Sequence, residues 1–187
     1  MVKEPRPGRV KTRLGKSMGM VPAAWWFRRQ VAGLLRRIDD ARWDTVLAVS
    51  PDHEGMQSRV WPAHLPRIPQ GPGDLGDRMG RVFRTLAPGP VVIVGADIPG
   101  ITRAHIARAF KALGDHDAVF GPAPDGGYWL IGLKRIRPVP VQLFEGVRWS
   151  TEHALSDTRA TLGDCSIALI DTLQDIDTAE DLAKLTE

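Results

Sequence analysis

The sequence predicts an α/β fold: a mostly parallel sheet with helices on both faces. Three observations carry that expectation. Strand-like and helix-like segments alternate along the chain, the pattern of a sheet covered by helices. Val91–Gly95 (VVIVG) is apolar throughout, as a central parallel strand is. Two longer stretches space their apolar residues with a helical period: Phe27, Val31, Leu34, Leu35 and Ile38, then Leu75, Met79, Val82, Phe83 and Leu86. With 187 residues the chain fits one domain, 1–187, large enough to bury a core without staples.

The elements follow in order. Met1–Lys3 reads as the stub of a truncated first strand; any residues upstream in the natural chain should then read as ~4–6 apolar residues, the usual strand length. Pro22–Ile38 is a helix, and Asp44–Ser50 a strand stopped by Pro51. The Leu75–Leu86 helix and the Val91 strand come next. Thr102 is placed to cap a helix that turns Ile106, Ala109, Phe110 and Leu113 inward. Asp117–Phe120 and Tyr128–Leu133 are further strands. A helix starts after Ser150 and stops at Gly163, Ser166–Ile170 is the last strand, and Thr178 with Asp181 forms a capping box for a short terminal helix.

Composition narrows the function. Apolar residues make up 43%, and no run approaches the ~18 of a membrane span. The basic amino end lacks the apolar core of a signal peptide. Cys165 is alone, which leaves no disulfide framework and no cysteine zinc site. A cytoplasmic address is expected. The net charge of +3 is a mild bias. Lys3, Arg6, Arg9, Lys11, Arg13 and Lys16 form a basic cluster suited to a polyphosphate, without the interleaved aromatics of RNA binding. Arg28, Arg29, Arg36 and Arg37 lie on a helix with an apolar stripe and read as its solvated face.

Four stretches can carry chemistry. In Pro5–Leu14 (PRPGRVKTRL), Gly8 permits close backbone approach and Lys11 and Arg13 can neutralise phosphate oxygens; a plain basic loop is the alternative. Gly15-Lys16-Ser17 is no P-loop, since Val10 stands where that motif needs glycine. In Val94–Gly100, Asp97 follows an apolar strand, where open α/β sheets bind ligands, and can hold a hard cation or cap a turn. Asp125-Gly126-Gly127 can be a hairpin turn or a ligand loop. In Leu173–Leu182, capping explains Thr178 and Asp181 but leaves Asp175 and Asp177 unexplained.

The ordered set PRPGRVKTRL, QGPGDLGDRM, VGADIPGI, GPAPDGGYWLIGL, FEGVRWST and DIDTAEDL resembles the bacterial glycosyltransferase-like family related to CofC-type 2-phospholactate guanylyltransferases and molybdenum-cofactor guanylyltransferases. The resemblance covers nearly the whole chain and implies a single-domain GT-A (nucleotide-diphospho-sugar transferase) fold. It implies nucleotide binding by Gly8, Arg9, Lys11, Gln70, Gly71, Leu75 and Gly76, with Lys11, Arg13 and Asp97 catalytic. It implies a Mg²⁺ or Mn²⁺ ion on Asp97 and Asp177, with Asp175 as the alternative to Asp177. Asp125, Gly126, Gly127, Tyr128, Trp149, Ser150 and Thr151 would face the second substrate.

The expected activity is nucleotidyl transfer from a nucleoside triphosphate to a phosphorylated small molecule, with release of pyrophosphate. Glycosyl transfer from a nucleotide-sugar is the first alternative, weakened because Asp97-Ile98-Pro99 offers one carboxylate where Asp-x-Asp offers two. A catalytically inactive nucleotide-binding module is the second. The expected partners are small molecules and no nucleic acid; the base, the acceptor and the oligomeric state stay open.

Overall fold

A computed structural model of the chain describes residues 1–184. The elements run β1 (Val2–Lys3), α1 (Thr12–Met18), α2 (Met20–Ile38), β2 (Leu47–Ser50), α3 (Asp52–Gln57), β3 (Arg67–Pro69), α4 (Leu75–Thr85), β4 (Val91–Val94), α5 (Arg103–Asp115), β5 (Ala118–Pro122), β6 (Tyr128–Leu133), α6 (Ala154–Ala160), β7 (Ile167–Leu169) and α7 (Ala179–Lys184). This is the α/β class. No helix among the described residues is long and apolar enough to cross a membrane.

The chain divides into two compact units. The first takes Met1–Pro69, Ala96–Thr102 and the segment from Asp175. Its sheet is β1-β2-β3, parallel throughout. The amino-terminal stub is a true strand of two residues, with Val2 opposite Val49 and Lys3 opposite Ser50. Helix α2 accommodates Pro22 because its first turn needs no amide donor. It buries Phe27, Val31, Leu34, Leu35 and Ile38, the stripe read from the sequence.

Helix α3, which the sequence did not announce, depends on two close fits. A Cβ on Gly55 would stand 2.6 Å from the Val49 Cβ, so only glycine lets the helix lie against β2. From β3, Arg67 Nη1 donates to the carbonyls of Gly55 (3.3 Å), Met56 (3.0 Å) and Ser58 (2.7 Å), and Nη2 to that of Trp61 (3.2 Å). One guanidinium thus gathers carbonyls from the last turn of α3 and from the segment that follows it.

The second unit takes Gln70–Gly95 and Arg103–Gln174, with strand order β4-β6-β5-β7. Strands β4 and β5 both run antiparallel to β6, while β7 runs parallel to β5. The Val91 run is a strand, but in this order it stands at one end. The interior places fall to β6 and β5, where Val119, Phe120, Leu130 and Ile131 are at most 1% exposed. Only Ile93 of β4 is buried, and the run stands at the end of this unit's strand order where the sequence led us to expect a central place. Helix α5 begins directly after Thr102 and buries Ile106, Ala109 and Leu113.

Candidate functional site

In the first unit, three separate segments deliver charge to one place. The loop after β1 turns at Gly8, whose φ of 74° lies in the left-handed region. No atom lies within 4 Å of where a Gly8 Cβ would be, so this glycine is needed for conformation and not for space. The loop ends at Lys11, which caps α1 with φ 45° and ψ 48°. A non-glycine residue there costs roughly 1–2 kcal/mol, and such residues cluster at functional sites. The Lys11 side chain is 5% exposed, and its Nζ donates to Asp97 Oδ2 at 2.8 Å and Asp177 Oδ1 at 2.6 Å. Arg13 Nη1 lies 3.3 Å from Asp177 Oδ2.

Each carboxylate is held by its own neighbours. Ala96, Ile98 and Ile101 are buried around Asp97, and Arg37 Nε donates to the Ile101 carbonyl at 3.2 Å. Arg37 therefore does not belong to a solvated helix face, as its sequence setting suggested; it is half-buried and holds the Asp97 loop. On the third segment, Ile176 is buried. The amides of Asp177 and Thr178 donate to Asp181 Oδ2 at 3.1 and 2.9 Å, and the Asp181 amide donates to Thr178 Oγ1 at 3.2 Å. The capping box that starts α7 thus also orients the Asp177 backbone. Asp175 joins the group: Asp97, Asp175 and Asp177 each offer a carboxylate oxygen within 4.8 Å of the others.

Burial is the largest influence on the Lys11 ammonium and pulls its pKa down. The Asp97 charge, hydrogen bonds to Asp177 and Asp97 and the Asp177 charge together outweigh it, and the net shift is upward. The rest of the basic loop is anchored by a residue that no motif singled out. Glu54, on α3, lies 3.0 Å from Arg6 Nε and 3.6 Å from Arg9 Nη1. An isolated glutamate on a six-residue helix carries no sequence signal for this role.

The second unit assembles the remaining candidates. Asp74 and Asp77 cap α4 reciprocally, each side chain accepting from the other's amide at 2.9 and 3.1 Å. Gln70 is buried; Arg81 donates to its carbonyl and to that of Pro72, the latter at 3.1 Å. Gly71 has φ 77° and lies against the Arg81 guanidinium. Leu75 is half-exposed, whereas a Cβ on Gly76 would come within 2.6 Å of the Phe144 Cβ and 2.9 Å of Trp149.

Asp125-Gly126-Gly127 is the turn from β5 to β6. Asp125 Oδ1 accepts from the Gly127 amide at 2.9 Å, and the Gly126 carbonyl accepts from the Leu155 amide at 3.0 Å. Gly126 has φ 83°, and a Cβ there would collide with the Glu152 backbone. The Asp125–Tyr128 turn and the Trp149–Thr151 loop are thereby brought together. The Tyr128 and Trp149 rings stand 6.5 Å apart, and Trp149 lies 5.9 Å from Phe144. Ser150 and Phe144 both have positive φ, 60° and 73°. Tyr128 donates its hydroxyl to Thr158 Oγ1 at 3.2 Å, since Thr158 spends its own proton on the Ala154 carbonyl at 2.7 Å. Burial pushes the Tyr128 phenol well above its ordinary range, against the pull of that hydrogen bond. Thr151 Oγ1 donates to the Arg148 carbonyl at 2.8 Å.

Solved structures resemble this chain. A candidate nucleotide-diphospho-sugar transferase from Desulfovibrio desulfuricans G20 is 30% identical, with TM-score 0.85, over 98% of this chain and 83% of that one. Two more distant structures share the fold. One is the 4-diphosphocytidyl-2C-methyl-D-erythritol synthase of Anaerococcus prevotii DSM 20548, 12% identical with TM-score 0.59, over 86% of each chain. The other is the Mycobacterium tuberculosis Rv0371c homolog from Mycobacterium sp. strain JC1, 15% identical with TM-score 0.55, over 85% of this chain and 80% of that one. No curated protein matches significantly. Residues 34–151 match the model of the family described as "Uncharacterized protein conserved in bacteria" (DUF2064), and the chain belongs to that family.

Proposed function

We propose that the chain is a cation-dependent nucleotidyltransferase, acting as one catalytic domain over 1–187. An acceptor carrying a phosphate attacks the α-phosphorus of a nucleoside triphosphate, the bond to the β-phosphate oxygen breaks, and pyrophosphate leaves. The observation that carries this reading is the meeting of Lys11 and Asp177, 166 residues apart, with Asp97 and Asp175. The donor set suits Mg²⁺ or Mn²⁺. It is made of carboxylate oxygens within 4.8 Å of one another, close to the span of two ligands at ~2.1 Å from one ion.

Asp97 and Asp177 would hold the ion, with Asp175 beside them. When bound, it supplies charge neutralisation at phosphate oxygens and a template for the triphosphate. The chain's own groups do the rest. Lys11 and Arg13 offset the negative charge that grows on the transferring and leaving oxygens. The Gly8–Arg9 turn, Gln70, Gly71, Leu75 and Gly76 bind the nucleotide. Asp125–Tyr128 and Trp149–Thr151 face the acceptor. The attacking phosphate is already an anion, so no side chain has to remove a proton, and catalysis reduces to alignment and electrostatics.

One observation favours a second reading, glycosyl transfer from a nucleotide-sugar: the 30% identical neighbour is a candidate nucleotide-diphospho-sugar transferase. The two readings release different products. Incubation with nucleoside triphosphates, phosphorylated acceptors and Mg²⁺ should release pyrophosphate, and Asp97→Asn should lower that release by about 10²–10³-fold. Release of a nucleoside diphosphate from a nucleotide-sugar, with no pyrophosphate from any triphosphate, would reject nucleotidyl transfer in favour of the second reading.

A further inference from the structure

We infer that Lys11 and the divalent cation are alternative occupants of the Asp97–Asp177 pair, so that the cation enters only as the ammonium leaves. The inference rests on the cation reading of this site and adds its regulation. The Lys11 ammonium lies between Asp97 Oδ2 and Asp177 Oδ1, at 2.8 and 2.6 Å, and its side chain is 5% exposed. A hard cation bound to the same two oxygens at ~2.1 Å needs the space that the ammonium fills. Two positive charges cannot share that space, so binding is an exchange.

The exchange makes chemical sense of a buried lysine at a metal site. Without a cation, Lys11 offsets part of the repulsion among Asp97, Asp175 and Asp177, which lie within 4.8 Å of one another. With a cation, those carboxylates no longer need it, and the freed ammonium requires a new anionic partner. A triphosphate supplies one. The free cation therefore binds weakly, and nucleotide and cation bind more tightly together than either alone. Lys11 acts here as a placeholder that competes with the cation for the site until phosphate draws the ammonium away. Its left-handed backbone, φ 45° and ψ 48°, sits at the junction of the loop and α1.

The test uses Mn²⁺ alone as the probe, without nucleotide. In the wild-type chain, Lys11 acetylation by acetic anhydride, read by mass spectrometry, should rise as Mn²⁺ is added, while acetylation of exposed Lys111 stays constant. Calorimetry should show Lys11→Met binding Mn²⁺ about tenfold more tightly than wild type, because the competing occupant is gone. If Mn²⁺ binds wild type while Lys11 acetylation stays flat or falls, the exchange is refuted and the metal reading survives. Equal or weaker Mn²⁺ binding by a folded Lys11→Met has the same meaning. If that variant fails to fold, the acetylation measurement decides alone. Absence of Mn²⁺ binding in both proteins would overturn the metal reading and the exchange together.

Discussion

In the Lys11–Asp97–Asp177 cluster, every side chain named is charged, and the pairs join segments remote in sequence. In the Asp125–Tyr128 and Trp149–Thr151 cluster, the polar groups are largely satisfied by uncharged partners within the same unit. Asp125 serves Gly127, Thr151 serves Arg148, and Tyr128 serves Thr158. Gly76 and Gly126 are required by close packing. The exception is Trp149, whose buried indole N–H has no hydrogen-bond partner among the described residues. Both clusters come from sequence motifs of similar appearance. They differ in whether the fold alone accounts for the residue. Packing explains the glycines and aromatics of the second cluster, whereas the first gathers three like-charged carboxylates within 4.8 Å of one another, against their mutual repulsion.

Substitutions can break this contrast. The largest effect is expected at Asp97→Asn. Pyrophosphate release should fall by about 10²–10³-fold, the scale of losing a preorganised electrostatic group. The melting temperature should stay nearly unchanged, because Lys11 keeps Asp177 at 2.6 Å. A large drop in melting temperature would make Asp97 a structural residue and erase the difference between the clusters. Gly126→Ala should do the reverse. Its Cβ meets the Glu152 backbone at a φ of 83°, which should cost about 2–3 kcal/mol in denaturant unfolding.

A smaller loss, about 1 kcal/mol, is expected for Tyr128→Phe, which removes one hydrogen bond to fully buried Thr158. If unfolding is unchanged but acceptor affinity falls, the hydroxyl belongs to the substrate and not to the fold. The smallest effect concerns acid. Arg148 Nε and Nη2 hold Asp157 at 2.8 and 2.9 Å, and with the Arg148 amide they keep its carboxyl well below the ordinary 3.8. A depressed carboxylate stabilises the fold above 3.8 and loses that contribution as pH falls through its lowered value. The stability gap between wild type and Arg148→Ala should therefore be constant near neutrality and close below 3.8. A gap that stays constant into acid would show that the pair is not the cause.

Much of the architecture was legible because it is periodic. Strand β6 runs from Tyr128 to Leu133 as read, α2 buries the stripe its spacing announced, and α4 buries Met79, Val82 and Phe83 of its stripe but leaves Leu75 exposed. The Thr178–Asp181 box is present as its sequence implied. The omissions are short or irregular. Helix α1 (TRLGKSM) has a glycine at its centre, α3 (DHEGMQ) has six residues, and β3 has three and ends in proline. None is long enough to show a period, and α3 depends on the Gly55–Val49 fit and the reach of Arg67.

The candidate site divides along the same line. Asp175 and Asp177 stood out in the sequence because capping, a local interaction, explained their neighbours and not them. Asp97 stood out because an aspartate after an apolar strand is also a local pattern. Lys11 and Arg13 were expected on phosphate; in the structure both reach Asp177. Glu54 carried no signal, and Arg37 carried a misleading one, since its helix setting read as a solvated face. The longer, periodic helices and strands and the unexplained carboxylates follow from neighbours a few residues apart, so the sequence by itself determined them. Which cation meets which carboxylate across 166 residues depends on the path of the whole chain, and there the charges are paired by proximity in space, which only the tertiary structure decided.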